Sequence, residues 1–244
     1  MKKMTLVPAA LAALALVTGS AHAQIVNGQF ATLAGWTAAG DAAAVGGHLV
    51  VTTSSATLQD DADAGLPKGA RNVSGTDPLP TGGGDGSLEQ ALALAGTPFD
   101  DTDNFVFSYE GSAASQTFTA AAGSRLSFQW DLSTLDQRDP TQADYAFVVI
   151  DGQVIRLADA FAATSAIVGG DYAAHTGWTD WSTTVATGGT HTIAFGVVDV
   201  GDFFDTSALA IADVGVSAVP ESSTLALMGA GLAMLAFVRR RRVG

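Results

Sequence analysis

Between residues 104 and 219 the apolar side chains alternate with other residues. Phe105-Val106-Phe107-Ser108-Tyr109 and Leu126-Ser127-Phe128-Gln129-Trp130 set the pattern. An extended segment with this period puts one face into a core and the other into water. A short strand and turn lead to Trp36, and strands are predicted over 48–53, 104–111, 115–132, 144–158, 180–200 and 207–219. Turn residues divide the runs. Asp151-Gly152, between two apolar stretches, predicts a hairpin, and Gly123-Ser124 and Gly188-Gly189 break further pairs. One short helix is predicted over 88–95, because Ser87-Leu88-Glu89-Gln90 has capping-box spacing and Gly96 supplies a stop. The Asp-, Gly- and Pro-rich stretch 59–86 reads as a long surface loop. With no repeat and no second boundary, the expectation is one all-β domain, an antiparallel β-sandwich or jelly-roll-like body over 24–217.

The two ends differ from this body. Lys2 and Lys3 precede an apolar stretch from Met4 to Val17, and Ala21-His22-Ala23 closes it. That order is the layout of a secretory signal peptide, a helix over 1–23 with cleavage after Ala23 by signal peptidase. At the other end, residues 225–238 carry no charge and Arg239, Arg240, Arg241 and Arg242 follow. A comfortable membrane helix needs about 20 apolar residues, so an apolar helix over 224–238 is short and reads as a marginal, temporary anchor. The arginines act as a membrane stop on the cytoplasmic side. Pro220 ends whatever structure precedes it.

Charge narrows the function. Of 11 Lys and Arg, two lie in the leader and four in the tail; of 24 Asp and Glu, only Glu221 lies outside the body. The body therefore holds 5 basic and 23 acidic residues, a net charge near −18 that repels nucleic acid and anionic lipid and attracts cations. There is no cysteine, which excludes disulfides, cysteine proteases, thiolate zinc sites and iron–sulfur clusters.

Val219-Pro220-Glu221, then Ser222-Ser223-Thr224-Leu225-Ala226-Leu227, then Gly229-Ala230-Gly231-Leu232, then the arginine run, resembles a PEP-CTERM sorting signal, with Ser222 where the usual motif has a second proline. The resemblance covers 218–244, with the motif at 219–222 and the basic end at 239–242. It implies recognition of Val219, Pro220 and Glu221 by a membrane-embedded exosortase in a Gram-negative, exopolysaccharide-making bacterium. Cleavage near the motif and release or transfer to the cell surface would follow. The body also resembles the ectodomains that precede such tails. The likeness rests on Asn27-Gly28-Gln29-Phe30 with Trp36, on Ser127 to Trp130 and Asp144 to Gly152, and on Gly196 to Asp199 with Ser207 to Val214. It implies an exported β-sandwich of no established activity.

No residue pattern stands out as catalytic. His48, His175 and His191 have no metal-ligand spacing, and there is no G-x-S-x-G elbow; His191 reads as a surface strand residue. Calcium is the better chemical expectation, because loops supply its oxygen ligands. Asp100-Asp101-x-Asp103-Asn104 and Asp199-x-x-Asp202-x-x-Asp205 qualify by composition, and the ectodomain resemblance adds Asn27 and Asp213. Trp178 and Trp181 are candidates for stacking on a sugar; on one strand they would face opposite sides, and on a loop they could face together. The leading expectation is an exported, non-enzymatic surface or matrix protein, structural or adhesive in exopolysaccharide or biofilm, that binds no nucleic acid. A calcium-dependent carbohydrate-binding module is the alternative, and a secreted hydrolase using paired carboxylates is the third.

Overall fold

A computed structural model of the chain describes residues 24–54, 71–72, 86–136, 139–167, 171–201, 205–218 and 229–234. The signal 1–23, the sorting motif Val219, Pro220 and Glu221, the arginines 239–242 and Asp202 lie outside the described residues.

The strands are β1 (Thr37–Ala39), β2 (Ala42–Val45), β3 (His48–Thr52), β4 (Arg71–Asn72), β5 (Ser108–Ala120), β6 (Arg125–Thr134), β7 (Tyr145–Ile150), β8 (Gln153–Asp159), β9 (Ser165–Ala166), β10 (Ala174–His175), β11 (Thr179–Thr184), β12 (Gly189–Val200) and β13 (Ser207–Ser217). They form two antiparallel sheets. The first has the order β1-β5-β12-β7-β8, with β4 also on β5; the second has β2-β3-β13-β6-β10-β9, with β11 also on β6. The all-β expectation is met. The inner faces meet in one core, where Phe118, Val148 and Phe195 of the first sheet join Leu49, Phe128, Trp130, Leu132, Leu209 and Ile211 of the second. Strand β6 follows the alternation read from the sequence: Leu126, Phe128, Trp130 and Leu132 are buried, while Ser127, Gln129 and Asp131 face outward.

The Asp151-Gly152 hairpin forms as predicted between β7 and β8, with both residues at positive φ, 50° and 80°. This is the turn whose twist matches the strands it joins. The predicted strand 104–111 is displaced. Residues 102–105 make a turn, Phe105 has φ 57° and is 81% exposed, and β5 then runs unbroken for 13 residues. The predicted helix is a single turn, α1 (Leu88–Ala91). Ser87 Oγ accepts the Gln90 N–H at 3.1 Å and Gln90 Oε1 accepts the Gly86 N–H at 2.6 Å. It stops early because Ala93 turns left-handed (φ 54°), which lets Leu94 N–H bond Glu89 O at 2.8 Å.

Helix α1 and the residues after it cover the outer face of the first sheet. Leu88 and Phe99 pack there on Ala113, Tyr145, Phe147, Val149 and Val198 as a second core. The expected C-terminal membrane helix is not supported. Among the described residues no helix is long and apolar enough to cross a membrane. Of the expected helix 224–238 the structure describes only 229–234, which are helical and exposed; the rest lies outside the described residues.

Candidate functional site

The outer face of the second sheet carries the most distinctive surface. His48 and Val50 point outward from β3, because Leu49 and Val51 between and beyond them are fully buried. Trp178 lies between β10 and β11, beside β6, where the neighbouring Thr176 N–H bonds Leu132 O at 2.9 Å. Its indole nevertheless reaches the His48 ring, with centroids 4.8 Å apart. Strand β13 lies between β6 and β3, so the contact of the indole with His48 spans that strand. Trp178 remains 46% exposed.

Polar side chains lie on the same face. Gln129 Nε2 donates to Asp180 Oδ1 at 2.9 Å, and Arg125 Nη2 donates to Ser182 Oγ at 2.8 Å. Asp131 accepts the Thr176 hydroxyl at 3.1 Å and faces His175 Nδ1 at 3.0 Å. Gln29 Nε2 donates to Asp213 Oδ1 at 2.7 Å. Arg125, Ser127, Gln129, Asp180, Ser182 and Asp213 line a groove of about 630 Å³ along this face. A half-exposed indole beside fixed donors and acceptors can stack on an apolar sugar face while its hydroxyls are hydrogen-bonded.

The two tryptophans named from sequence do not act together. Trp181, on β11 opposite Phe128, turns inward and stacks on that ring at 4.7 Å, so it packs against the core and only edges the groove. Trp178 is on the loop and faces out. His48, Gln129, Asp180 and Arg125 were not singled out from sequence; the signal for Arg125 and Gln129 was the polar half of the β6 alternation.

The calcium candidates are scattered. Asp199 is buried in β12 and Asp213 is exposed on β13. Asn27 is close to Asp213, since Val214 N–H bonds Gly28 O at 3.0 Å, but its side-chain amide donates to Thr32 O. Asp101 spends both oxygens on Asn104, and those hydrogen bonds hold its carboxyl below the usual range. Among the described residues no three His, Asp or Glu side chains converge as a metal would require.

His191 corrects the surface expectation, being only 6% exposed. Its Nδ1 faces Asp151 Oδ2 at 2.7 Å and its Nε2 faces Thr187 O at 3.1 Å. Burial pushes Asp151 up, but the bonds from His191 and from Thr192 N–H outweigh it and leave the carboxyl below its ordinary value. The ring nitrogen that would activate a nucleophile is occupied by a backbone carbonyl, so this pair is not a hydrolytic triad.

No family model matches the chain, and no curated protein matches it. Among solved structures, the enzymatically active domain of tailspike protein 4 of bacteriophage CBA120 aligns with it at 15% identity and a TM-score of 0.28. The alignment covers 79% of this chain and 20% of that one, so the chain spans about one fifth of its length. That finding overturns the flat expectation that the chain is not an enzyme. At such a TM-score, the likeness carries no activity over to it.

Proposed function

We propose that this chain is exported by its leader and sorted by its tail to the cell surface or extracellular matrix. There it is a structural and adhesive component that holds exopolysaccharide on the outer face of the second sheet. Signal peptidase and an exosortase are its processing partners, and it meets the inner membrane through 224–238 in transit. Support for the sorting half is the order of motif, apolar run and four arginines directly after β13. Support for a body that works outside the cytoplasm is a cysteine-free, strongly acidic surface.

The observation that carries the adhesive half is Trp178, held across β13 on His48 and left nearly half exposed. A half-exposed indole on a face that also carries fixed hydrogen-bonding groups offers a stacking surface for a sugar ring. The test uses the secreted chain. Its intact mass reads both mature ends, expected after Ala23 and near Pro220-Glu221. Native affinity electrophoresis in a gel containing the host's exopolysaccharide then compares wild type with Trp178→Ala. Retarded wild type and a variant weakened roughly tenfold or more are expected, as for loss of a stacked aromatic. Equal mobility of the two in the polysaccharide gel rejects the adhesive half, and a mass ending at Gly244 rejects the sorting half.

A further inference from the structure

A second cavity, of about 300 Å³, lies on the far side of the sandwich, between the loop after α1 and strands β7 and β8. Arg156 pairs with Phe147 across the β7–β8 ladder. Phe147 belongs to the outer core, so Arg156 stands on the outer face of the first sheet. Its guanidinium lies over the Tyr145 ring, 3.9 Å from the centroid. Tyr145 is itself fixed: its hydroxyl donates to Phe99 O at 2.9 Å, and burial raises its pKa well above the ordinary phenol value. Stacking on an anchored ring holds the guanidinium plane still.

Arg156 is nevertheless underused. Among the described residues its one protein hydrogen bond is a long one, Nη2 to Ala143 O at 3.5 Å, and it makes no ion pair there, although Asp100, Asp101 and Asp159 line the same cavity. Those carboxylates are held off it by local bonds: Asp100 Oδ1 accepts the Ser108 N–H at 2.9 Å, Asp159 Oδ1 accepts the Phe161 N–H at 3.1 Å, and Asp101 is occupied by Asn104. Asp100 and Asp159 each keep a second oxygen for another donor. Arg156, held on an anchored ring, thus lines one cavity together with Asp100 and Asp159.

We infer that this cavity binds one neutral hexose unit, Arg156 donating to its hydroxyls and Asp100 and Asp159 accepting from them. Hydroxyls both donate and accept, so one sugar satisfies both kinds of wall. A carboxylate or phosphate would suit Arg156 alone and would be repelled by three aspartates. A volume near 300 Å³ is at the small end of ligand pockets, which fits a single ring. The unit is either a free sugar or the end of a glycan, and the site stands apart from the Trp178 face.

The test is titration calorimetry of the secreted chain with glucose, galactose, mannose and disaccharides of each, with glucuronate as the anionic comparison. At least one neutral hexose saturates the chain. Arg156→Lys and Asp159→Asn, the latter keeping the turn's cap, each weaken it by roughly tenfold or more. A disaccharide that binds more tightly than its monosaccharide identifies a glycan end; equal or weaker binding identifies a free sugar. Absence of binding by every neutral sugar, tighter binding of glucuronate than glucose, or wild-type affinity in both Arg156→Lys and Asp159→Asn overturns the proposal. The Arg156 and Asp159 variants leave the Trp178 face intact, so the two sites fail separately.

Discussion

Glu89 is a carboxyl placed where water cannot reach it. It is 1% exposed, and neither oxygen has a partner in hydrogen-bonding geometry among the described residues. Burial pushes its pKa up to about 7 from an ordinary 4.5, with the Asp100 charge adding to the rise; its own N–H and the Ser87 hydroxyl oppose it in part. Below pH 4.5 the group is protonated in both folded and unfolded chains and costs nothing. Between 4.5 and 7 the unfolded chain ionises first, so stability falls as pH rises, and it levels off above 7. The full penalty is at most about 3.5 kcal/mol, from roughly 1.4 kcal/mol for each pH unit. Glu89→Gln keeps the shape and removes the titration. The stability difference between variant and wild type, read from urea midpoints, should move in the variant's favour by about 1–3 kcal/mol between pH 4 and pH 8. A difference that stays constant across that range would show that Glu89 does not titrate there.

At the scale of the element, what was legible was what is decided locally. Asp151-Gly152 needs only its own two residues at positive φ, and the β6 alternation needs only one wet face. The start of β5 was misread because its surroundings are not local. Glu110, Ser112 and Gln116 look like water-facing residues but are buried, since they share a face of β5 with Ala114 and Phe118, which point between the two sheets. The sequence stretch around Phe105 alternates, yet it turns and leaves Phe105 in water. Half of the candidate site was legible for the same reason: Trp178 could be named, but its seat on His48 joins residues 130 positions apart in the chain. The outer layer also explains Gly196. A Cβ there would run into the Phe147 ring and Ser112 O, neither of which can move without opening the second core. Gly196→Ala should therefore cost about 2–4 kcal/mol, an overpacked β-strand with no room to relax. Chemical unfolding measures it, and a loss under about 0.5 kcal/mol, the range of a neutral surface change, would mean that α1 and its loop do not pack as described.

For the whole molecule, the dominant quantity is a body with 23 acidic and 5 basic residues. Self-repulsion of that size opposes folding, and any salt relieves it by screening, over a Debye length of about 10 Å at 0.1 M. Calcium would therefore stabilise this chain even with no site for it, and a simple rise in melting temperature on adding it proves nothing. A true site differs in two ways: it acts at concentrations too low to change the ionic strength, and it needs several oxygens directed at one point. Several of the described aspartates instead accept from backbone amides and neighbouring side chains, as Asp101 from Asn104, Asp139 from Thr141 and Asp144 from Val200 and Ser207. The expected result is a midpoint that climbs with sodium chloride, is unchanged by EDTA at fixed ionic strength, and gains no more from calcium than from sodium at equal ionic strength. A fall on EDTA that micromolar calcium reverses would reverse the argument. It would place the missing ligand at Asp202, outside the described residues and between Asp199 and Asp205 in the chain, and loss of the effect in Asp202→Asn would show that the loop before β13 holds the ion.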